Sequence, residues 1–225
     1  GGRCHLKNSL IEFNGDESVT MLLSNRHDYY LNLSLHHNNV FHMGTNNYMN
    51  GRLTIILSEQ KHVFFGNGSA ISFGIWIRTA DPHLVYSVDT KARVNPSKSV
   101  FVGDHVWLGQ SAILLKGTRI GSGSIIGASS VVAGKKIPSN TSWAGNPVRQ
   151  VGQKIFWSGQ CVHRWRGEET RKYQTMLTDD FTFEWDEAED CSFEKLEAEF
   201  SACSNADERL EALEKISNGK NRFYV

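Results

Sequence analysis

The 225-residue sequence predicts an all-β core: a parallel β-helix of six-residue repeats, interrupted by one loop and followed by a partly helical tail. The main observation is an aliphatic residue at every sixth position over six repeats, and a glycine follows four of them. A fixed period of this kind is typical of stacked coils. Three hexapeptides would form one triangular coil of about 18 residues, with the aliphatic side chains inside. The six positions are Val102, Leu108, Leu114, Ile120, Ile126 and Val132.

The segment 1–64 predicts short strands rather than clean repeats. Turns rich in Asn, Gly and Asp separate four β-like runs. We expect these runs to form irregular early coils, because the terminal units of a repeat array are commonly atypical. The runs are Leu10–Phe13, Val19–Leu23, Tyr29–Leu35 and Leu53–Leu57.

The repeat register becomes clean at Phe65, Ile71 and Ile77 and then breaks. No hexapeptide fits residues 78–99, so we predict an inserted loop there. A loop of about 20 residues inside a compact repeat domain is commonly functional, because the regular coils do not need it.

The sequence after the last repeat changes in character and predicts a C-terminal extension, residues 158–225. Asn205 and Glu208 have the spacing of a capping box, which marks the start of a helix. We therefore divide the chain into a β-helix domain, residues 1–157, and a partly helical extension packed on that domain or on a neighbouring subunit. A preceding helix is indicated by apolar residues at helical intervals, namely Phe193, Leu196 and Phe200.

Composition argues against several classes of function. The chain has 24 basic and 24 acidic residues, a balance that does not favour binding to nucleic acid or to anionic membranes. Its four cysteines are scattered and include no C-x-x-C pair, which favours free thiols in a reducing compartment over a disulfide framework. No stretch approaches the roughly 20 apolar residues of a membrane span, and no secretory signal is visible. We therefore expect a cytoplasmic protein.

Within the inserted loop, His83 is the candidate for proton transfer, because imidazole titrates near neutral pH. Pro82 stiffens its approach. Asp81 is close enough in sequence to fix the imidazole tautomer and to stabilise the imidazolium. The competing interpretation of Asp81 is an Asx turn ahead of Pro82, and that of His83 is a merely exposed or structural histidine.

Trp107 is a second candidate, because it takes the last position of its hexapeptide, where the core does not need a large aromatic. Its indole N–H can only donate, to a carbonyl or to a developing oxyanion. The alternative is a ring that only covers an edge of the β-helix. Counting about 18 residues per coil aligns Trp107 with Ile125 and Trp143, as an apolar strip for a pantetheine arm or an adenine.

Lysines form a further column along one edge. Lys98, Lys116 and Gly134 recur at the spacing of one coil, and Lys135 lies beside the last. This ladder of ammonium groups could hold a phosphorylated cofactor. The alternative is a set of solubilising surface lysines.

A series of motifs extends from Leu53 to Trp157. In order they are Asp81-Pro82-His83, Arg93-Val94-Asn95-Pro96, Val102-Gly103-Asp104-His105-Val106-Trp107-Leu108-Gly109, Leu115-Lys116-Gly117, Ile126-Gly127-Ala128-Ser129-Ser130-Val131-Val132, Ala144-Gly145-Asn146-Pro147 and Ile155-Phe156-Trp157. With these residues the chain resembles the hexapeptide-repeat O-acetyltransferases of the type that modifies bacterial capsular polysaccharides, including polysialic acid.

The resemblance implies a left-handed β-helix that forms a homotrimer, with acetyl-CoA in the cleft between subunits of a bacterial protein. His83 would be the catalytic base and Trp107 its partner, and no metal would be needed. We assign to the acetyl-CoA site Trp107, Lys116, Ser130, Gly134, Lys135 and Trp143.

The expected activity is acetyl transfer from acetyl-CoA to a sugar hydroxyl in a capsular or other cell-surface polysaccharide, with sialic acid as one candidate. One alternative is a small acceptor: a free sugar, a nucleotide sugar or serine. Another is a non-catalytic trimeric scaffold that binds carbohydrate. A zinc hydratase on the same fold would need three converging histidines, and the repeats offer only His105.

Overall fold

The chain winds as a left-handed parallel β-helix of about six coils, in a computed structural model that describes residues 2–225. Its strands form three six-stranded sheets, which are the three faces of a triangular prism. Strands that neighbour each other in a sheet come from successive coils and run parallel, except for the last pair of the third sheet. This arrangement confirms the predicted fold class.

The three sheets are numbered in the order in which the chain reaches them. The first contains β1 (Leu10–Phe13), β3 (Leu31–Leu35), β6 (Leu53–Ile56), β9 (Ile75–Arg78), β12 (Ile113–Leu115) and β15 (Val131–Ala133). The second contains β2 (Val19–Leu22), β4 (Val40–Met43), β7 (Val63–Phe65), β10 (Val100–Val102), β13 (Arg119–Ile120) and β16 (Lys136–Ile137). The third contains β5 (Tyr48–Met49), β8 (Ala70–Ile71), β11 (Trp107–Leu108), β14 (Ile125–Ile126), β17 (Thr141–Ala144) and β18 (Arg149–Gln153).

The coils after the loop have the length that three hexapeptides predict. Phe101 pairs with Arg119 and Trp107 pairs with Ile125, so equivalent positions of successive coils stack directly. The six aliphatic residues of the hexapeptides point inward and are fully buried. They belong to one apolar core that continues through the earlier coils.

The coils of segment 1–64 do not have the hexapeptide length, which agrees with the prediction of irregular early coils, and the four predicted β-like runs fall on β1, β2, β3 and β6. Asn32 pairs with Leu10 on one side and with Thr54 on the other, and Val19 pairs with Val40, so these coils are longer than three hexapeptides and differ by one residue between the first and second sheets. Part of the extra length lies in the corner between the first and second sheets, which takes residues 57–62 before the loop but only residues 116–118 after it. A search for a period of six misses coils of this length.

The last coil is one residue shorter than the coils below it. Ile125 pairs with Ser142 and Ile126 pairs with Trp143, whereas a coil of three full hexapeptides would pair Ile125 with Trp143. The Trp143 side chain therefore points inward, like that of Ile126, and packs against the core. The predicted outward alignment of Trp107, Ile125 and Trp143 is wrong for this reason.

The C-terminal extension covers the outer face of the second sheet. Phe193 and Phe200 pack with Phe64 and Phe101 of that sheet, so the extension lies on its own β-helix rather than only on a neighbour. The domain boundary at residue 157 stays a prediction. The helices of the extension are α1 (Gly167–Lys172), α2 (Phe193–Ala202) and α3 (Ala206–Glu214).

The helix start predicted at Asn205 is confirmed. The Asn205 side chain accepts a hydrogen bond of 2.9 Å from the backbone N–H of Glu208 and so caps α3. The Glu208 carboxylate in turn accepts from the backbone N–H of Ser204 at 2.6 Å. Among residues 2–225, none of the helices has the length and apolar composition needed to cross a bilayer.

Two histidines are buried beneath the extension. His42 stacks on Phe64 at 4.4 Å between ring centroids and donates from Nδ1 to the Phe65 carbonyl at 3.0 Å. Burial lowers the pKa of His42 to about 4. Burial also lowers the pKa of His62 to about 3. Both rings are therefore neutral in the folded protein at pH 7.

We expect these two histidines to lower the free energy of unfolding as the pH falls below 6.5. The folded pKa lies below the ordinary value of about 6.5, so the stabilisation is complete above pH 6.5 and is lost as the pH falls towards 4. The unfolded chain binds protons in that window and the folded chain does not. Replacing His42 by Gln removes one such group, and we expect it to reduce the loss between pH 7 and pH 4 by on the order of 3 kcal/mol.

Urea unfolding at pH 7 and pH 4 measures this difference. His37, whose side chain is 62% exposed, supplies the matched control, and His37→Gln should keep the wild-type pH dependence. Equal pH dependence in the His42→Gln and His37→Gln variants would contradict the prediction.

Candidate active site

The inserted loop leaves the β-helix at the corner between the first and second sheets. β9 ends at Arg78 and β10 begins at Val100, close to the predicted bounds of 78 and 99. The base of the loop is closed by a hydrogen bond of 3.0 Å from Lys98 N to the Thr79 carbonyl. Its outer part folds back on itself through an antiparallel bridge between Tyr86 and Arg93. The loop is thus an ordered projection.

Asn95 organises the chain around His83. Its Nδ2 donates to the His83 carbonyl at 2.8 Å and to the Asp81 carboxylate at 3.1 Å. Its Oδ1 accepts from the Val85 backbone N–H at 2.9 Å. One nearly buried amide therefore fixes the backbone on both sides of His83. From the sequence, Asn95 was named only as part of a motif, although an Asn directly before a proline is typical of a turn and could have indicated this role.

A bidentate ion pair ties the loop to the preceding coil. The Arg93 guanidinium donates to the two Glu59 carboxylate oxygens at 2.7 and 2.9 Å, and the Ser97 hydroxyl donates to the same carboxylate. The hydrogen bonds from Arg93 and then from Ser97 lower the pKa of Glu59 to about 2. Glu59 lies 34 residues from Arg93, and sequence reasoning did not identify this contact.

Asp81 has a different partner from the predicted one. Its carboxylate accepts from Lys116 Nζ at 2.5 Å and from Asn95, and the hydrogen bond with Lys116 is the main reason why the pKa of Asp81 is lowered. Within residues 2–225 no hydrogen bond joins Asp81 to the His83 imidazole. The positive charge of the Lys116 ammonium group attracts the Asp81 carboxylate. Asp81 thus holds the loop against the next coil.

The His83 side chain is exposed and has no hydrogen-bond partner among the described residues. The loop around it is unusually apolar for a surface segment. An ordered apolar projection of this kind is typical of a surface that another chain covers. The exposed apolar residues of the loop are Leu84, Val85, Tyr86, Val88 and Val94.

Trp107 lies on the outer face of the third sheet and is 44% exposed. It stands in an outward column between Ala70 and Ile125. In a triangular coil, the corner that carries the loop is opposite the third sheet. The structure therefore does not bring His83 and Trp107 together within one chain, and their catalytic roles stay predictions.

An aromatic stack supports the region beside Trp107. His105 lies parallel to Trp157 at 3.9 Å and to Phe181 at 4.7 Å between ring centroids. Trp157 Nε1 donates to the His105 carbonyl at 2.9 Å, and the Trp157 ring is 6.0 Å from that of Trp107. Burial lowers the pKa of His105, and its ring packs against those of Trp157 and Phe181. Trp157 is a further candidate that sequence reasoning treated only as part of a closing motif.

The lysine column is present at the corner that carries the loop. A Cβ placed on Gly117 would lie 3.1 Å from Lys98 Cδ and 3.4 Å from Gly134 Cα, so these three positions stack. Lys116 lies beside them but is engaged by Asp81. Gly134 and Lys135 are exposed at the end of the column.

Ser130 and Trp143 lie away from this column. Ser130 is fully buried, and its hydroxyl accepts from the Gly145 N–H at 3.0 Å, which fixes the exit turn of the β-helix. Trp143 donates from Nε1 to Thr141 at 3.0 Å. Neither side chain reaches an outer face together with Lys135, and their assignment to the acetyl-CoA site stays a prediction. In the part of the chain that the structure describes, no three His, Cys, Asp or Glu side chains cluster as metal ligands.

Comparison with known proteins identifies the same repeats. The bacterial transferase hexapeptide family, with six repeats, matches residues 99–134. A polysialic acid O-acetyltransferase of Neisseria meningitidis is 30% identical over 118 residues, which cover 52% of this chain and 54% of that protein. A galactoside O-acetyltransferase of Lactococcus lactis is 38% identical over 114 residues, covering 51% and 53%. The chain thus spans about half the length of these curated relatives.

Two solved structures share the fold over a larger part of the chain. The polysialic acid O-acetyltransferase OatWY has a TM-score of 0.59 and 25% identity, covering 72% of this chain and 77% of its own. The polysialic acid-specific acetyltransferase NeuO has a TM-score of 0.65 at 21% identity, covering 75% and 78%. The second likeness concerns the fold alone.

Proposed function

We propose that this chain, whose residues 99–134 match the bacterial transferase hexapeptide family, transfers an acetyl group from acetyl-CoA to a sugar hydroxyl in a bacterial capsular or other cell-surface polysaccharide. The observation that carries the proposal is the ordered loop, which presents His83 at one corner of a hexapeptide prism. The polysialic acid O-acetyltransferase relatives support a polymer containing sialic acid as the first acceptor to test.

The chemistry requires a base, because a sugar hydroxyl is too weakly acidic to attack a thioester unaided. His83 takes the hydroxyl proton while the oxygen bonds to the acetyl carbonyl carbon. Backbone N–H groups or the indole N–H of Trp107 stabilise the resulting oxyanion. When the oxyanion collapses, the carbon–sulfur bond breaks and the CoA thiolate takes the proton from His83. The positively charged side chains of Lys98 and Lys135 attract the phosphates of CoA.

The opposed positions of His83 and Trp107 support a site between subunits. The loop of one chain projects away from its own third sheet, and its apolar side chains suit burial against a neighbour. A closed ring of three chains lets each loop reach the third sheet of the next. We therefore propose a homotrimer of about 76 kDa, three times the chain mass of 25.3 kDa.

Mixing two inactive variants tests this arrangement. We expect His83→Ala and Trp107→Ala chains each to lose activity as separate trimers. Co-refolded at equal amounts, they should regain about a quarter of the wild-type rate, because a random trimer pairs an intact His83 with an intact neighbouring Trp107 at that frequency. If verified mixed trimers regain no activity, the proposed arrangement is wrong. Either both residues then act within one chain, or one of them is not part of the site.

A thiol-release assay with acetyl-CoA tests the activity itself. We expect CoA release only in the presence of an acceptor, with polysialic acid and other capsular polysaccharides compared with free galactosides, nucleotide sugars and serine. NMR of the product identifies the acetylated hydroxyl. The galactoside O-acetyltransferase relative favours a small sugar as the second candidate acceptor. Carbohydrate binding without any CoA release would instead indicate a non-catalytic scaffold.

A further inference from the structure

A cavity of about 310 Å³ lies where the C-terminal extension crosses the corner between the first and second sheets. One wall is the corner before the loop, and the other is the connection between α2 and α3. No Asp or Glu side chain among the described residues lines it. The lining polar residues that matter here are Asn38, Lys61, His62, Ser201, Ser204 and Arg209.

Arg209 is a buried cation in this wall, with 3% of its surface exposed. Its Nη2 donates to Asn38 Oδ1 at 2.9 Å and to the Cys203 carbonyl at 2.8 Å. Its Nε and Nη1 atoms find no acceptor among residues 2–225, and no carboxylate of that part of the chain pairs with it within 4.0 Å. A buried guanidinium without a counter-charge is costly, so its presence points to an anion.

His62 adds a neutral donor from the opposite wall, the corner before the loop. It is 1% exposed, and its Nδ1 accepts from the Val40 backbone N–H at 3.2 Å, which leaves the proton on Nε2. Nε2 has no acceptor in the described chain. Lys61 supplies a second positive charge at the rim, and its nearest carboxylate, that of Glu197, is 4.0 Å away.

We propose that this cavity binds an oxyanion, a phosphate or carboxylate group, through Arg209 and His62 with Lys61 at its mouth. A charged N–H donor makes short, strong hydrogen bonds to both kinds of oxyanion, and Nε and Nη1 of Arg209 each have one to offer. Ser201 and Ser204 add hydroxyl donors from the wall formed by the extension. The cavity volume is at the lower end of the range for small-ligand sites. This site lies apart from His83 and does not depend on the transfer activity.

The site also contacts the root of the inserted loop. The His62 backbone N–H donates to the Ser99 hydroxyl at 3.0 Å, and its carbonyl accepts from Val100 N at 2.9 Å. These are the residues at which the loop returns to the β-helix. An anion on His62 therefore steadies the loop root as well as the extension.

Thermal unfolding of the full chain, titrated at constant ionic strength, tests the proposal. Inorganic phosphate and acetate are compared with chloride. We expect a saturable rise in Tm of a few degrees with phosphate or with acetate, and the effective ion identifies which oxyanion is bound. Arg209→Met should abolish the rise, whereas Arg171→Met, at an exposed arginine, should keep it.

Lys61→Met removes a partly exposed charge and gives a second variant that does not depend on the folding of Arg209→Met. We expect it to weaken the apparent affinity about 3- to 10-fold. A Tm that does not saturate with either ion, an equal rise in Arg209→Met and Arg171→Met, or an unchanged affinity in Lys61→Met would each overturn the proposal.

Discussion

Replacing His83 by Ala should lower kcat for acetyl transfer by roughly 10²- to 10⁴-fold, the usual contribution of a general base. The imidazole is exposed and makes no hydrogen bond within residues 2–225, so its removal should leave the fold intact. The loop backbone is held by Asn95, which contacts the His83 carbonyl and not its side chain. The substitution should therefore remove the proposed base without changing the structure of the loop.

Initial rates with saturating acetyl-CoA measure the effect, and circular dichroism with size-exclusion chromatography verifies fold and assembly. His163→Ala is the matched control, because His163 is also exposed but lies in the C-terminal extension. It should keep the wild-type kcat. A His83→Ala enzyme that stays within tenfold of the wild type would end the assignment of His83 as the base.

Replacing Arg222 by Met should destabilise the protein by about 3–5 kcal/mol, because it leaves a buried carboxylate without its partner. Arg222 donates from Nε and Nη2 to the two Asp104 oxygens, each at 2.8 Å, and its side chain is 4% exposed. Asp104 also accepts from the Asn67 backbone N–H at 2.6 Å. The pair fastens the end of the extension to the corner between the second and third sheets.

Urea unfolding at pH 7 measures the loss of stability. Arg164→Met, at an exposed arginine of the extension, should change the free energy of unfolding by less than about 0.5 kcal/mol. The double variant Asp104→Asn with Arg222→Met should be more stable than Arg222→Met, since no unpaired charge remains. A loss below about 1 kcal/mol in Arg222→Met would show that the ion pair contributes little.

The hexapeptide part of the fold could be predicted because its information is local. An inward aliphatic at every sixth residue needs no knowledge of distant contacts, and all six of these side chains are buried. The loop bounds and the cap at Asn205 follow from equally local patterns. Four strands of the early coils could be located from the sequence, but their stacking register could not, because these coils are longer than three hexapeptides and a period of six does not describe them.

The contacts of the candidate site could not be predicted because they join distant parts of the chain. Asp81 meets Lys116 across a separation of 35 residues, and both lie at the same corner only once the coils have stacked. The Trp143 register changes because one coil is a single residue shorter. The proposed site would join His83 of one chain to Trp107 of another, and no pattern within one chain describes such a contact.

The extension has a consequence for how the molecule unfolds. In a solenoid, each turn touches only its neighbours, so such arrays tend to fray from their ends as nearly independent units. Here one segment reaches across many turns: its side chains meet Val40, Phe64 and Phe101, and its last residue, Val225, exchanges hydrogen bonds with Ser139. Because this segment links distant turns directly, the whole chain should unfold in a single cooperative transition.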